Sequence, residues 1–125
     1  MALESSNAEV AAAFVLSECD AARWVCVTCG AEGAVAVTRT DGADGVTKVP
    51  AWPLPTQGPG AVRDTTGAGD AFIGGVATGL VRGLPLSETL RLASYVAAAN
   101  VCADGARGGM PTRGELPAEL QALLG

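Results

Sequence analysis

The residues of this chain best suited to chemistry lie in one glycine-rich stretch, residues 64–75, which reads DTTGAGDAFIGG. We expect a turn that leads directly into an apolar helix, with Thr66 able to cap the helix start. Gly67 and Gly69 carry no side chain, so a ligand can approach their backbone N–H groups closely, and a helix start favours an anion. Asp70 follows in the first turn, where a carboxylate suits a base that takes a proton from an attacking hydroxyl. The stretch therefore predicts phosphoryl transfer, with the amides stabilising the transferred group.

Two other phosphate-binding motifs are excluded. No GxxxxGK[ST] pattern occurs in the chain, so this is not a P-loop. The dinucleotide fingerprint fails because Phe72 stands where its third glycine is needed and no clean strand precedes the turn. On these residues alone, a glycine-rich helix start that binds nothing stays open as the alternative.

The order DTTGAGDAF, followed by a helix of small residues, resembles the C-terminal signature of the ribokinase-like (PfkB) carbohydrate kinases. The resemblance implies an α/β fold, the C-terminal half of a ribokinase-like three-layer α/β/α sandwich. It implies ATP-dependent phosphorylation of a sugar hydroxyl, with conversion of D-ribose to ribose 5-phosphate favoured, and Asp70 as the catalytic base. The anion hole would be formed by the backbone of Gly67, Ala68, Gly69 and Asp70. A fructokinase or nucleoside kinase of the same family, and a non-catalytic nucleotide-binding module, remain alternatives.

Further ligand contacts are implied by the same resemblance. The pattern Thr-x-Gly-x-x-Gly after the first predicted strand corresponds to a family segment near the nucleotide phosphates, although an ordinary strand exit explains it equally well. The nucleotide-binding residues implied are Thr28, Gly30, Gly33 and Asn100. The implied ligands of a monovalent cation, K⁺, are Asp64, Thr66, Ala103 and Gly105. ATP, Mg²⁺ and K⁺ are thus the expected cofactors.

The resemblance covers residues 6–124, yet members of the family are much longer than 125 residues. We therefore expect residues 1–125 to form a single partial domain, a fragment or truncated product that lacks the N-terminal sugar-binding half and its lid. Because phosphoryl transfer depends on positioning, the isolated chain should have no appreciable kinase activity. A homodimer is possible in the full-length protein, since family dimers use that lid.

Composition excludes several other classes of function. The net charge is −5 and the basic residues are scattered, which argues against nucleic-acid or anionic-membrane binding. No apolar run reaches membrane-spanning length and no signal pattern opens the chain, so a cytoplasmic protein is predicted. The absence of histidine removes the usual histidine base and metal ligands. Cys26-x-x-Cys29 is interpreted as a pair of buried structural thiols, because Cys26 lies within a predicted strand. A thiol redox protein is the third hypothesis, and it would need both Cys26 and Cys29 to be exposed.

Hydrophobic periodicity and cap signals predict the secondary structure. The first strand is continuously apolar, which is typical of a buried parallel strand. Capping boxes are expected at residues 6–9 and 112–115, a polar turn at 41–45 and a proline-rich connector at 50–60. The predicted helices cover residues 7–19, 67–82 and 87–103, with a last one opened by the second capping box, and the predicted strands cover 24–28, 34–38 and 46–49.

Overall fold

The structure is a computed structural model that describes residues 5–40, 43–53, 68–101 and 113–124. The chain divides into two compact units, Met1–Ala51 and Trp52–Gly125, which are described separately below. The first unit combines a helix with a three-stranded sheet, and the described part of the second is helical. The mixture of helix and sheet confirms the predicted α/β class.

The first unit holds one helix and one antiparallel sheet. Its elements are α1 (Ser5–Glu18), β1 (Trp24–Thr28), a 3₁₀ turn (Gly30–Glu32), β2 (Ala34–Thr40) and β3 (Ala43–Val49). The strand order is β1-β2-β3, and both neighbouring pairs are antiparallel. The prediction of a parallel β1 is therefore wrong for the described sheet. Only residues 29–33 join β1 to β2, and a parallel crossover needs a dozen residues or more.

Helix α1 packs on this sheet through three buried apolar residues spaced four apart, Ala8, Ala12 and Leu16. Ala8 contacts Cys29 and Val35, while Ala12 and Leu16 contact Val37. These contacts bury one stripe of the helix against the central strand, whose residues 34–37 are almost completely buried. The start of β2 is therefore the centre of the first core.

The guanidinium of Arg39 on β2 closes the C-terminal end of α1. It donates hydrogen bonds to the backbone carbonyls of Leu16, Cys19 (3.2 Å) and Asp20 (2.9 Å). Carbonyls at a helix end lack intrahelical partners and carry partial negative charge, so a cation there satisfies both needs. Strand β2 thus supplies both the apolar support of α1 and its C-terminal cap.

The boundaries of α1, β2 and β3 differ by a few residues from the prediction, and β2 continues to Thr40, two residues beyond its predicted end. Helix α1 begins at Ser5, so Ser6 already lies inside the helix and the predicted capping box is wrong; Glu9 instead pairs with Lys48 at 3.4 Å. Strand β3 begins at Ala43, which pairs with Thr40. Residues 43–45 of the predicted turn therefore belong to β3, and residues 41 and 42 lie outside the described residues.

The second unit contains three described helices: α2 (Ala68–Val81), α3 (Leu86–Val101) and α4 (Ala118–Leu123), with a 3₁₀ turn (Arg113–Glu115) before α4. Helices α2 and α3 were predicted close to these bounds, although the predicted end of α3 at residue 103 lies outside the described residues. The last helix does not open at the second capping box. It begins after Pro117, whose extended backbone (ψ 148°) separates the 3₁₀ turn from α4.

Glycines let α2 and α3 approach each other closely. A Cβ added at Gly75 would lie 2.5 Å from the Cα of Ala93, and one added at Gly79 would lie 2.5 Å from Oγ1 of Thr89. These contacts explain two of the four glycines that make α2 intrinsically weak as a helix, Gly75 and Gly79. The helix ends at Val81, and Gly83, two residues later, has a φ of +71°, the left-handed conformation common after helix ends.

Gly75→Ala should destabilise the second unit, because its methyl group would meet the backbone of α3. We expect a loss of about 1–3 kcal/mol in the free energy of unfolding. Gly74→Ala is the matched control, since a Cβ there meets no atom of the described residues within 4 Å. It should stabilise the helix by about 1 kcal/mol. Urea unfolding followed by circular dichroism measures both, and equal effects of the two substitutions would contradict the close packing.

The second core lies between α3 and α4. Leu92, Leu116, Leu120 and Leu124 form it, and Trp52 and Tyr95 pack against it. The rings of Trp52 and Tyr95 meet edge to face, with centroids 5.0 Å apart. Within the described part of the chain, no helix has the length and hydropathy that crossing a membrane requires.

Candidate functional site

The predicted base and the described part of the anion-binding turn lie at the start of α2. Ala68, Gly69 and Asp70 occupy the first helical turn, where N–H groups have no acceptor within the helix. Among the described residues, a Cβ added at Gly69 would meet nothing within 4 Å, so none of them covers the backbone there. Asp70 is exposed. The described geometry therefore brings a carboxylate and an accessible helix start together; Gly67, Asp64 and Thr66 lie outside the described residues.

The second predicted segment is the tight turn after β1, in the first unit. The N–H of Cys29 donates to the carbonyl of Gly33 (2.7 Å), and the N–H of Gly33 donates to the carbonyl of Gly30 (3.1 Å). Gly30 has a φ of +58° and is exposed, as is Thr28 at the end of β1. These two residues therefore offer a polar side chain and an open backbone to a ligand.

Gly33 has a different environment in the same turn. It is buried, with a φ of +93° and a ψ of −134°. A Cβ at this position would overlap the backbone carbonyl of Val49 and lie 2.8 Å from the N atom of Ala51. Packing alone thus accounts for glycine here, which the spacing of the motif does not reveal. Its role as a nucleotide contact stays a prediction.

The predicted contacts near the end of α3 are described only in part. Asn100 is fully buried in the second unit, so in this conformation its side chain presents no surface to a nucleotide. Ala103 and Gly105 lie outside the described residues. The roles of all three stay predictions. Among the residues that the structure describes, no group of three or more Cys, Asp or Glu side chains could hold a metal ion.

Cys26 and Cys29 do not have the properties of a redox pair. Cys29 is fully buried against Ala8 and Val35, as the structural interpretation expected, and Cys26 is half-buried. Burial raises the pKa of Cys29, and burial with the nearby Cys29 thiol raises the pKa of Cys26 to about 11. Reactive thiols instead have lowered pKa values and partial exposure. The described geometry therefore gives the thiol-redox hypothesis no support.

One feature of α2 was not predicted from the sequence. Apolar side chains occupy both its buried face and the face that carries Asp70. A helix that is apolar all round is normally covered on all sides. The absence of any charged residue from 71 to 81 was the available signal.

Comparison with known proteins identifies a family that matches the chain. The model of the pfkB family carbohydrate kinases matches residues 2–113. The chain is 49% identical over 53 residues to a ribokinase of Bacillus subtilis (strain 168), a match that covers 42% of this chain and 18% of that protein. The matched part of the chain therefore spans less than a fifth of this relative's length.

Two solved structures show the same likeness over most of the chain. The crystal structure of ribokinase from Thermotoga maritima matches with a TM-score of 0.71 and 28% identity, over 93% of this chain and 34% of that one. A Burkholderia thailandensis nucleoside kinase in complex with ADP-inosine matches with a TM-score of 0.69 and 30% identity, over 83% of this chain and 30% of that one. With the family match over most of its length, this chain belongs to the pfkB family of carbohydrate kinases.

Proposed function

We propose that this chain supplies the catalytic base and the phosphate-binding amides of an ATP-dependent sugar kinase. The observation that carries the proposal is the position of Asp70, an exposed carboxylate in the first turn of α2, one residue after the open backbone of Gly69. An anion bound at this helix start would interact with the N–H groups and the positive end of the helix dipole.

The proposed reaction uses these two groups in different roles. Asp70 accepts the proton of the sugar hydroxyl while the oxygen of that hydroxyl attacks the γ-phosphorus of ATP. The bond from that phosphorus to the bridging oxygen of ADP breaks, and the electron pair leaves with ADP. Backbone N–H groups at the helix start, from Gly67 to Asp70, stabilise the charge on the phosphoryl oxygens during transfer. Such a division of roles explains why a carboxylate stands beside an anion site.

Contacts to the nucleotide are proposed for the turn after β1. Thr28 and Gly30 are exposed there, so the hydroxyl of Thr28 and the backbone of Gly30 are available to phosphate oxygens. Gly33 and Asn100 are proposed on the resemblance alone. Mg²⁺ and K⁺ are proposed on the same ground. The residues proposed to bind K⁺ are Asp64, Thr66, Ala103 and Gly105. In the whole protein, a cytoplasmic location and a homodimer belong to the same proposal.

D-Ribose is the favoured substrate, since ribokinases stand among both the relatives and the solved structures that resemble the chain. A nucleoside is the second candidate, because the nucleoside kinase bound to ADP-inosine is similar over 83% of this chain. Both substrates would offer a hydroxyl to the same base. The residues that select between them are expected outside the matched region.

The test is a hybrid kinase in which this chain replaces the matched segment of Thermotoga maritima ribokinase. We expect the hybrid to transfer phosphate from ATP to ribose, measured by coupled release of ADP, whereas the isolated chain shows no transfer. The same ribokinase without the segment is the control. A folded hybrid that phosphorylates neither ribose nor inosine would contradict the proposal, and so would normal turnover by the isolated chain.

A further inference from the structure

Strand β3 forms one edge of the three-stranded sheet, and among the described residues no strand pairs with its outer side. On this strand Val46 is 46% exposed, and the side chain of Lys48 is 55% exposed. The outer side of an edge strand presents N–H and C=O groups that the sheet does not use, and these are a template for pairing with another strand. The outer edge of β3 is therefore a candidate interaction surface.

The hydrogen-bond pattern of the sheet decides which residues of β3 direct their backbone groups outward. The N–H of Arg39 donates to the carbonyl of Arg23 (2.8 Å), so the odd-numbered residues of β2 bond towards β1. The even-numbered residues of β2 therefore bond to β3, where the odd-numbered residues are their partners. The residues of β3 whose N–H and C=O groups point outward are thus Asp44, Val46 and Lys48.

The composition of the two edge strands indicates that a larger sheet would continue at β1 and end at β3. Strand β1 has the sequence WVCVT, without a charged residue, which suits a strand with neighbours on both sides. Strand β3 has the sequence ADGVTKV, and lysine is common on strands whose edge faces water. We therefore expect the portion of the related structures outside the matched segment to continue the sheet beside β1, which leaves the outer edge of β3 available.

This edge is complementary to itself. When two β3 strands pair antiparallel about a two-fold axis at Val46, position 44 of each copy faces position 48 of the other, and these positions carry aspartate and lysine. All the outward-pointing residues then exchange backbone hydrogen bonds, and opposite charges face each other, which stabilises a strand pair. Shifting the register by two residues leaves an outward-pointing residue of each copy without a partner. Shifting it by four places like charges opposite each other.

We propose that the outer edge of β3 pairs with β3 of a second copy of this chain, which joins the two sheets into one of six strands. The proposal goes beyond the proposed function and does not depend on kinase activity. It also differs from the homodimer that the family resemblance implies, because that dimer uses the lid, whereas this interface needs only β3.

The position of α1 leaves room for this pairing. Cross-strand partners share one face of a sheet, and Val46 lies opposite Val37, which packs against α1. The two-fold axis would therefore bring both copies of α1 to the same face. Each α1 packs on β2, and the two β2 strands would be three strand spacings apart, about 14 Å. A helix with its side chains is about 10–12 Å wide, so both helices fit and the two Val46 side chains lie between them.

The dimer is expected to be weak. Each copy carries a net charge of −5, so pairing two of them adds like-charge repulsion. The paired edge is also short, and small interfaces dissociate easily. We therefore expect a dimer at about 1 mM that dissociates on dilution to about 10 µM.

The first test introduces a cysteine at the centre of the pairing, Val46→Cys, in the 125-residue chain that also carries Cys19→Ser, because Cys19 is exposed. In the proposed register the two Cα atoms at position 46 would lie about 5.5 Å apart, which a disulfide can span. We expect oxidation with copper phenanthroline to give a covalent dimer on a non-reducing gel. Val10→Cys in the same background is the matched control, since Val10 is 70% exposed on α1, and it should give little dimer. Equal cross-linking at both positions, or none at position 46, would overturn the proposal.

The second test reverses the charges and follows the dimer by sedimentation equilibrium. Lys48→Asp places like charges opposite each other twice, so the Kd of the dimer should rise about tenfold. Adding Asp44→Lys to it restores opposite charges and should restore the Kd. Lys48→Asp also removes the ion pair with Glu9, but this pair is exposed, so the urea midpoint should change little. A chain that stays monomeric at about 1 mM would overturn the proposal. So would a dimer that Lys48→Asp does not weaken, or one that the double substitution does not restore.

Discussion

Asp70→Asn is expected to lower the turnover number of the hybrid kinase by about 10²–10⁴-fold while nucleotide affinity is retained. Asparagine keeps the size of the side chain but cannot accept the hydroxyl proton. The amides at the start of α2 are unchanged, so the phosphate-binding contribution of the helix remains. Because Asp70 is exposed in the first turn of α2, the substitution should not disturb the fold.

The measurement combines initial rates of ribose phosphorylation with calorimetric titration of ADP. Asp20→Asn, at an exposed aspartate of the first unit, is the matched control and should change neither quantity. A tenfold or smaller loss of turnover for Asp70→Asn would remove Asp70 from the role of base. Loss of ADP affinity with unchanged turnover would make it a binding residue instead.

Periodicity predicted α2 and α3 of the second unit well. The glycine-rich start, the small interior and Gly83 all indicated the span of α2, and the structure places the helix at Ala68–Val81. The relative direction of the strands in the sheet was harder to predict. An apolar run such as β1 has the composition of a buried strand in either direction, and the length of its connection to β2 is what decides it.

Cap signals were the least informative. Ser6 and Glu9 have the spacing of a capping box, yet α1 starts earlier and Glu9 forms an ion pair with Lys48. A capping box is a local pattern, whereas the ion pair of Glu9 depends on Lys48 of β3, which lies far along the chain. At the C-terminal end, Pro117 decided where α4 begins, and proline is a stronger local signal than a cap.

In the candidate site, too, local sequence patterns did not reveal contacts between residues that are distant in sequence. Asp70 and Gly69 follow from the motif, because their chemistry depends on neighbours in sequence. The requirement for glycine at position 33 depends on Val49 and Ala51, which no local pattern reveals. The exposure of Ile73, Leu80 and Val81 became visible only when it could be compared with the face of α2 that packs on α3.

Gly33→Ala is expected to cost about 3 kcal/mol or more of the free energy of unfolding. Two effects add. The φ of +93° with a ψ of −134° is a conformation that alanine adopts only with strain, and the new methyl group would overlap the carbonyl of Val49. Gly83→Ala separates them, because Gly83 also has a positive φ (+71°) but a Cβ there meets nothing within 4 Å. It should cost only about 1–2 kcal/mol.

Urea unfolding of the isolated chain, followed by circular dichroism, measures both substitutions. The result also decides what the turn after β1 requires of its second glycine. If Gly33 serves chiefly to contact nucleotide, alanine should leave stability close to that of the unchanged chain and weaken ADP binding in the hybrid. If packing against β3 dominates, as the buried position indicates, stability falls first, and ligand contact in this turn rests on Thr28 and Gly30.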